Sequence, residues 1–400
     1  MYLNIFMKFC GIICEFNPLH NGHEYLISKA KEKGYHVICL MSGNFSQRGL
    51  PCCMSKFERA KLAIMAGASI VLELPTVYAV NNADEFAYGA IKILKALNID
   101  HIMFGSESDD KENLEKLADF RLNEPQEFRE LLKQKLDKGM SYNNAYLSAM
   151  TDITSDNSLQ KMLSSPNDIL ASSYIKEIKK QKANISYELV KRTDNGYNST
   201  IASFDKLSAS AILELKKQNK DYSSFVPTYT KEALDNSPLF DFNIFSALLK
   251  NIISCTPPQK LNKIFGMEEG LEYLLSSTFS RADTMDNYLQ ILQSKRYRKS
   301  RINKILLTTL LNITKTDYKK IKAGKPAVKV LAVNKNKKQL LSTMSLSNDI
   351  KLIITNKDYA QITDNSQITS LEIDSRASNL YSICSNQNLN LDRTIGTIFM

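Results

Sequence analysis

The stretch that decides the fold is Phe9–Glu24, FCGIICEFNPLHNGHE. Its first half is an apolar run typical of a buried strand. Its second half holds Pro18, Gly22 and two of the chain's four histidines, His20 and His23. A helical pattern begins at the second histidine. The stretch therefore predicts a strand, a tight turn and a helix in direct succession, which is the start of a βαβ unit.

The same alternation continues through the first hundred residues. Strands that alternate with helices at this spacing predict a parallel sheet, and ligands of such sheets bind beyond the carboxyl ends of the strands. The turn with the two histidines lies at that edge. The predicted strands are Phe9–Glu15, His36–Met41, Ser69–Leu74 and His101–Phe104, and the helical patterns between them are His23–Lys33, Ser55–Ala66 and Ala83–Leu97, the last opened by Asn82.

His20 and His23 allow three interpretations. A helix N-terminus attracts anions through its unpaired amides and its dipole, so two imidazoles beside it can donate to phosphate oxygens, and Gly22 lets a phosphate approach the backbone. Packing of either ring in the interior is the second interpretation. A metal site is the least favoured, because no further His or Cys cluster completes it. Phosphate binding is favoured, and packing stays open.

The composition of the 400 residues is that of a globular protein, with 43% hydrophobic and 24% charged residues. Two or three domains are expected at this length. No apolar run approaches the roughly 20 residues that span a bilayer, and no secretory cleavage site follows the N-terminus. Seven scattered cysteines without a CxxC pair are typical of a reducing compartment. We therefore expect a cytoplasmic protein.

The net charge of +10 is concentrated in the second half of the chain. Residues 219–400 hold 25 basic and 16 acidic side chains, and Lys295–Lys338 holds 15 basic residues against one acid, Asp317. A charge run is usually a solvated helix face, but this imbalance favours a polyanion such as RNA. The residues expected to contact RNA phosphates are Lys295, Arg296, Arg298, Lys299, Arg301 and Lys304, with Tyr297 among them.

The polar stretch KKQNKDYSS, residues 216–224, separates two predicted domains. Residues 1–220 are predicted to form a Rossmann-like α/β domain with a parallel sheet that includes a strand at Ile185–Lys191. Residues 221–400 are predicted to form a basic region that is helical to about residue 325 and ends in a small α/β piece. The fold class is thus α/β with a mainly helical C-terminal region.

Nine blocks of the sequence resemble one family. FNPLHNGH is similar to the HxGH signature of the nucleotidyltransferase superfamily, and the whole set resembles the bacterial tRNA(Met) cytidine acetate ligases. The resemblance runs from about Met7, where the family usually begins, to the C-terminal segment. The blocks are, in order, GIICEFNPLHNGHEYLI, MSGNFSQRG, SKFERAKLAIMAGASIVLELP, YAVNNADEFAYGAI, FGSE, SPNDILASSYI, VKRTDNGYN, KSRINKILL and EIDSRASNLY.

This resemblance implies a two-step reaction. Acetate attacks the α-phosphate of ATP to give acetyl-adenylate and pyrophosphate, and the N4 amine of the wobble cytidine in elongator tRNA(Met) then takes the acetyl group and releases AMP. Such activation is needed because the lone pair of the cytosine amine is delocalised into the ring. No coenzyme A is involved, and Mg²⁺ is expected with the ATP.

The resemblance also implies the residues of the ATP site. His20 and His23 are the expected catalytic residues in contact with the triphosphate, Gly105 lets the nucleotide approach closely, and Asn167 and Arg192 complete the site. No magnesium ligand is assigned to the protein. Most of the ATP cradle is expected from Ile13, Cys14, Glu15, Phe16, Asn17, Pro18, Leu19, His20, Asn21, Gly22, His23, Glu24, Tyr25 and Leu26.

Two basic residues of the N-terminal half have structural alternatives. CCMSKFERA resembles the KMSKS loop of the synthetases, in which Lys56 would reach a phosphate. However, Ser55 and Glu58 form a capping-box pattern, so the helix cap alone is favoured. Arg48 follows the second predicted strand and is either an anion contact or a surface arginine.

The block LSASAILEL resembles the ISSTxIR element of nucleotidyltransferases, but Leu213 replaces its arginine. Helix capping by Ser208 or Ser210 is therefore favoured over a catalytic role. Leu213 is also the one feature that favours a non-catalytic RNA-binding protein with a decayed nucleotide site. A further alternative is a plain nucleotidyltransferase, which would join AMP to its product rather than release it.

Overall fold

The structure, a computed structural model, describes residues 7–154, 156–191, 207–268, 270–279, 281, 285–293, 297–344 and 348–400. Its strands are β1 (Phe9–Cys14), β2 (His36–Ser42), β3 (Ile70–Leu74), β4 (His101–Ser106), β5 (Ser186–Lys191), β6 (Ala327–Val333), β7 (Lys351–Ile353) and β8 (Ile398–Phe399). The helices of the first half are α1 (Asn21–Glu32), α2 (Lys56–Met65), α3 (Thr76–Ala79), α4 (Ala83–Ala96), α5 (Lys111–Leu122), α6 (Gln126–Asp137), α7 (Tyr142–Ile153), α8 (Asn157–Met162), α9 (Pro166–Lys180) and α10 (Ala209–Lys217). Those of the second half are α11 (Thr228–Asp235), α12 (Phe242–Cys255), α13 (Pro258–Leu261), α14 (Leu271–Phe279), α15 (Met285–Leu292), α16 (Lys299–Leu310), α17 (Lys315–Ala323), α18 (Leu340–Met344), α19 (Asn356–Ala360), α20 (Asn365–Cys384) and α21 (Leu391–Thr394).

All of these strands belong to one sheet, in the order β5-β4-β1-β2-β3-β6-β7, with β8 paired to β6. Strands β1 to β5 run parallel, as the alternating pattern predicts. Strand β6 pairs antiparallel with β3, whereas β7 and β8 pair parallel with β6. The predicted Rossmann-like α/β fold, with a helical C-terminal region and a small α/β end, is confirmed.

Helices cover both faces of the sheet, because alternate side chains of a strand point to opposite faces. On β2, Ile38 and Leu40 belong to one buried cluster together with α4 and α9. Val37 and Cys39 belong to a second cluster together with α1 and α2. None of the described helices combines the length and apolar character that crossing a membrane requires.

A cleft begins where β1 and β4 separate. These neighbours pair only at Cys10 with His101 and at Gly11 with Ile102. Beyond that point β1 continues beside β2 to Cys14, and β4 continues beside β5 to Ser106. The carboxyl ends of the two strands therefore diverge. This is the position between oppositely wound halves of a sheet at which ligands of α/β folds bind.

The C-terminal strands extend the N-terminal sheet. Every residue of β6 is buried beside β3. Its largely apolar sequence, AVKVLAV, suits a strand that is covered on both faces. Helices α11 to α17 come before it in the chain. The boundary proposed at residue 220 stays a prediction, but strands from both sides of it share one sheet.

Candidate active site

The two histidines form the N-terminal cap of α1. The Nδ1 atom of His20 accepts a hydrogen bond from the Gly22 amide at 3.1 Å, and Nδ1 of His23 accepts one from the His20 amide at 3.3 Å. The rings stack with their centroids 3.7 Å apart. Because Nδ1 accepts in both rings, each neutral imidazole carries its proton on Nε2 and has a donor suited to an oxyanion.

Gly22 makes this arrangement possible. A Cβ atom at this position would lie 3.0 Å from Cε1 and 3.1 Å from Nδ1 of His20, tighter than ordinary contact. The absence of a side chain lets the His20 ring lie over the first turn of α1. The glycine of the HxGH motif thus has a steric reason in this chain. It does not depend on a bound ligand.

The loop between β1 and α1 is held by its neighbours. Asn17 Oδ1 accepts from the Cys53 amide at 2.7 Å, and the Asn21 side chain donates to the Ser224 carbonyl at 2.9 Å. The Asn17–Pro18 peptide is cis, and Phe16 has φ +49°. The Phe16 ring meets His23 edge-on at 5.0 Å between centroids. The histidines therefore rest on a fixed loop.

Glu15 is the first residue after β1. Its carboxylate accepts from the Gln47 amide at 2.5 Å, which joins the loop after β1 to the loop after β2. Burial raises the pKa of this carboxyl, and the Gln47 hydrogen bond opposes the rise. Arg48, one residue further on, is exposed and lies near Glu15, and the anion contact proposed for it stays a prediction.

Arg59 is a site-supporting residue that the sequence did not reveal. Its side chain has 0% exposure and donates to the Glu15 carbonyl at 2.5 Å, the Ser42 carbonyl at 3.1 Å, the Met54 carbonyl at 3.1 Å and the Gly43 carbonyl. It therefore ties α2 to the carboxyl ends of β1 and β2. The sequence feature that could have indicated it is a basic residue among the apolar positions of α2, whose buried residues also include Lys56.

A reciprocal pair of carboxylates forms the β4 side of the cleft. Asp168 Oδ1 accepts from Ser106 Oγ at 2.6 Å and from the Glu107 amide at 3.0 Å. Glu107 in turn accepts from the Asn167 side chain at 2.5 Å and from the Asp168 amide at 3.0 Å. The turn that follows Gly105 is thus locked to the start of α9. Glu107 and Asp168 were absent from the predicted site, although both lie in the quoted blocks.

The predicted ATP residues differ in their position and burial. Gly105 lies at the end of β4, and Asn167 reaches that strand end through Glu107. Arg192 lies outside the described residues. Within 13–26, the buried residues are Cys14, Phe16, Pro18, Leu19 and His20, the exposed residue is Tyr25, and the half-buried ones are Ile13, Glu15, Asn17, Asn21, Gly22, His23, Glu24 and Leu26.

The capping interpretation of Ser55 is confirmed, since its side chain accepts from the Glu58 amide at 3.2 Å. The alternative in which Lys56 reaches a phosphate is wrong. The Lys56 ammonium is buried and pairs with Glu73 at 2.7 Å and with Asp392 at 2.6 Å. These two buried carboxylates neutralise its charge in the interior of the protein.

The helix that follows residue 207 is capped by Ser208, whose side chain accepts from the Ala211 amide at 3.3 Å. Leu213 is half buried and packs against the cluster beneath α1 and α2. An apolar residue at this position therefore contributes to packing, and the departure from the arginine of the resembling element has a structural reason.

The basic residues of α16 differ in their surroundings. Arg298 and Lys299 are exposed, and Arg298 donates to Asn144 Oδ1 at 2.5 Å. Arg301 pairs with Glu268, whereas Lys304 donates to the Asn81 carbonyl at 2.8 Å. Lys295 and Arg296 lie outside the described residues. Tyr297 has 7% exposure and packs in a helical core, so it offers no open ring for a base.

Among the residues that the structure describes, no group of three His, Cys, Asp or Glu side chains could hold a metal ion. The described cysteines are unpaired. Burial raises the pKa of the Cys14 thiol well above its ordinary value, which opposes formation of the thiolate that nucleophilic catalysis needs.

Comparisons with known proteins agree with this geometry. The model of the HIGH Nucleotidyl Transferase family matches residues 7–394. A tRNA(Met) cytidine acetate ligase of Thermoanaerobacter sp. is 35% identical, and the alignment covers 94% of this chain and 95% of that relative. A tRNA(Met) cytidine acetate ligase of Clostridium perfringens is 34% identical, and the alignment again covers 94% of this chain and 95% of the relative.

Two solved structures have the same fold over nearly the whole chain. The apo form I of Thermotoga maritima TmcAL gives a TM-score of 0.89 at 28% identity, covering 98% of this chain and 100% of that one. The form II structure of that protein, bound with alpha-thio ATP, gives 0.86 at 27% identity with the same coverage. The chain belongs to the tRNA(Met) cytidine acetate ligases, a family of HIGH nucleotidyl transferases.

Proposed function

We propose that this protein is an ATP-dependent ligase that acetylates N4 of the wobble cytidine in elongator tRNA(Met), using free acetate. The observation that carries the proposal is the stacked, Nδ1-capped histidine pair at the mouth of the β1–β4 cleft. The whole-chain match to relatives that bear this name supports the substrate assignment. A cytoplasmic location follows from the proposed tRNA substrate.

The first step forms acetyl-adenylate. A carboxylate oxygen of acetate bonds to the α-phosphorus of ATP, the bond to the bridging oxygen of the β-phosphate breaks, and pyrophosphate leaves with the electron pair. His20 and His23 donate through Nε2 to phosphate oxygens, and the amides at the start of α1 add positive potential. The reaction needs positioning and charge stabilisation, and it needs no protein nucleophile.

The second step transfers the acetyl group. The N4 nitrogen attacks the acetyl carbon, the carbon–oxygen bond to AMP breaks, and AMP leaves as N4 loses a proton. Adenylation compensates for the weak nucleophilicity of the cytosine amine by supplying a good leaving group. The energy thus comes from ATP, and no coenzyme A takes part.

The proposed ATP cradle is residues 13–26 together with Gly105, Asn167 and Arg192. Residues 13–26 run from the end of β1 into the start of α1, and Gly105 lies near the end of β4, and this position beside the cleft supports the assignment. ATP is proposed to enter as its magnesium complex, with Mg²⁺ carried by the phosphates as part of the substrate. The α-thio ATP bound to Thermotoga maritima TmcAL supports ATP as a substrate of this chain.

The proposed tRNA surface is the exposed start of α16, with Arg298 and Lys299, and the basic residues that precede it in the chain. Contacts there would be made mainly to phosphates, so the affinity is expected to fall steeply with salt. The wobble base must be unstacked to reach the adenylate, which single-stranded anticodon loops permit.

The test is transfer of radiolabelled acetate into total tRNA, followed by digestion to nucleosides. Label in N4-acetylcytidine that requires ATP and needs no coenzyme A is the expected result. ATP consumption with AMP joined to another small molecule would replace the proposal with a plain nucleotidyltransferase. Tight tRNA binding without ATP turnover would leave a non-catalytic RNA-binding protein.

A further inference from the structure

A cavity of about 680 Å³ lies outside the histidine loop, between the two halves of the chain. Its walls come from the start of α4, the ends of α5 and α7 that face it, α9, α16 and the turn at residues 265–268. No residue of the loop 13–26 lines it. Its volume is within the roughly 300–1,000 Å³ of ligand pockets. Acetate would occupy only a small part of it.

The cavity has unbalanced positive charge. Asp84 is paired with Arg121 at 2.7 Å and with Lys176 at 2.6 Å. Arg301 is paired with Glu268, whereas Arg298 and Lys304, the other two basic side chains on this wall, form no ion pair with any residue in the described ranges. Their hydrogen bonds go to neutral oxygens of Ser141, Asn144 and Asn81. The described residues of the lining include five basic side chains and three acidic ones, the third acid being Glu124, and this excess of positive charge favours an anionic ligand.

An open aromatic ring lies beside these cations. Tyr142, the first residue of α7, lines the cavity with 53% of its surface exposed, and its ring is 5.8 Å from that of buried Tyr146. The hydroxyl of Tyr146 donates to Glu124 at 2.9 Å, which fixes the inner ring behind the outer one. An exposed ring on a rigid support, next to arginine and lysine, is the combination on which unstacked nucleobases bind.

The cavity adjoins the edge of the sheet that carries the chemistry. Lys304 donates to the carbonyl of Asn81, which follows β3 and α3 in the chain. Helix α16 also presses on the loop after β2, because a Cβ atom at Gly49 would lie 2.6 Å from the Lys304 amide nitrogen. Lys304, which lines the cavity, therefore lies against the loops after β2 and β3, and it is near enough to Glu15 of the histidine loop for that carboxylate to act on it electrostatically, so the cavity borders the histidine loop.

We propose that this cavity receives the acceptor cytidine after it leaves the stack of the RNA loop, with its base on Tyr142 and its phosphate beside Arg298. The inference rests on the proposed function and adds the binding site of the second substrate. It explains why a cavity with cations and an open ring is built between the nucleotide domain and the basic helix. The acceptor then enters from the α16 side while ATP occupies the β1–β4 cleft.

Cross-linking locates the acceptor base directly. A synthetic anticodon stem–loop of the substrate tRNA carries 5-iodocytidine at the acceptor position, is bound to the full chain, irradiated and mapped by mass spectrometry. Among the described residues, three aromatic side chains line the cavity, Tyr142, Tyr146 and Phe265. The adduct is expected on Tyr142 or on Phe265. An adduct confined to residues that do not line the cavity would overturn the assignment.

Substitution of the ring separates the two steps of the reaction. Tyr142→Ala is expected to lower acetyl transfer to tRNA roughly 5- to 150-fold, the range expected from loss of one base–aromatic stack. Tyr142→Phe should retain most of the transfer, since the ring remains. The matched control is Tyr273→Ala, because Tyr273 is a helical tyrosine of similar exposure, 56%, that does not line the cavity.

Acetate-dependent ATP–pyrophosphate exchange keeps the two proposals distinct. If wild-type protein shows neither exchange nor transfer, the proposed function fails and this inference fails with it. If wild type performs both and Tyr142→Ala transfers acetyl groups as well as Tyr273→Ala does, only the cavity assignment fails. Loss of exchange in Tyr142→Ala would place this residue in the first step and would also overturn the assignment. Unchanged exchange with impaired transfer is the supporting result.

Discussion

The His20 ring has two roles, since it caps α1 and is proposed to donate a hydrogen bond to a phosphate oxygen of ATP. Its Nδ1 atom caps α1 by accepting from Gly22, which leaves the proton of the neutral ring on Nε2. His23 repeats the arrangement one turn later through the His20 amide. The cap thus sets the tautomer of both rings before any ligand arrives, and a preorganised donor needs little rearrangement when charge develops at phosphorus.

Replacement of His20 should separate its two roles. His20→Ala is expected to lower ATP–pyrophosphate exchange by about 100-fold or more, the usual effect of removing one such donor, and to destabilise the protein by about 1 kcal/mol through loss of the cap. His20→Asn should restore the melting temperature, because asparagine is a good N-cap, without restoring exchange. The control is His36→Ala, at the amino end of β2. Exchange at the wild-type rate in His20→Ala would remove this histidine from the site.

Lys304 should make stability depend on alkaline pH. Burial lowers the pKa of its ammonium from 10.5 to about 8, with Glu15 opposing the shift and Arg301 adding to it. Between pH 8 and 10.5 the unfolded chain binds more protons at this lysine, so its contribution to stability rises with pH. Relative to Lys304→Met, wild type should be less stable at pH 7 by about 1 kcal/mol after solvent screening, and the gap should close by pH 10. Melting temperatures at both pH values test this, and a constant gap would contradict it.

Helix α2 fixes the edge of the sheet through its buried face. Arg59 on this helix supplies donors to the carbonyls of Glu15, Ser42 and Met54, which no apolar side chain could do. These carbonyls lie at the ends of β1 and β2 or at the start of the helix itself. Helix α2 contributes no residue to the proposed ATP cradle, but through Arg59 it fixes the point at which the histidine loop begins.

Loss of the Arg59 guanidinium should disturb both stability and the first reaction step. Arg59→Met leaves buried carbonyls without donors, at an expected cost of about 3 kcal/mol or more. Exchange should fall as well, because the loop after Glu15 loses its anchor. Lys61→Met is the matched control on the same helix, since Lys61 is half-buried and, among the described residues, its ion pair is with Glu58 of the same helix. Thermal unfolding and exchange measured on both variants test this, and equal melting temperatures would count against the anchor.

Buried charges join the two halves of the molecule. Lys56 of α2 pairs with Glu73 of β3 and with Asp392 of α21, and Lys329 of β6 pairs with the same aspartate at 3.4 Å. Asp374 of α20 accepts from the Thr76 amide at 2.7 Å beside this group. Burial raises the pKa of the Glu73 carboxyl, an effect that the Lys56 ammonium opposes. The C-terminal residues thus complete the interior of the N-terminal sheet.

Removal of the Lys56 ammonium should show how much this buried ion pair contributes to the stability of the protein. Lys56→Met leaves Glu73 buried without its ion-pair partner and Asp392 with Lys329 alone, and breaking a buried pair in this way costs about 3–5 kcal/mol. The control is Lys325→Met, which breaks the exposed Lys325–Asp349 pair and should cost at most about 1 kcal/mol. Thermal unfolding and limited proteolysis between α20 and β8 distinguish the two. Equal stability of both variants would show that the buried pair does not hold the halves together.

Prediction from sequence succeeded where the determining contacts are local. Strand and helix periods, the Ser55 and Ser208 caps and the turn with His20 and His23 follow from neighbouring residues in the chain. The roles of Arg59, Glu107 and Asp168 escaped it, because each is set by backbone groups of a distant segment. Tyr297 has the pattern of an RNA-binding aromatic, but the packing of surrounding helices buries it.

The sequence by itself determined the βαβ order, the histidine loop at the carboxyl edge and the family, since motif spacing and periodicity are properties of consecutive residues. Only the tertiary structure decided that β6 enters the sheet beside β3, that Lys56 is a buried ion-pair partner and that a cavity with Tyr142 and Arg298 lies beside the site. Each of these outcomes joins segments far apart in the chain. Their contacts depend on how whole elements pack, which local pattern does not encode.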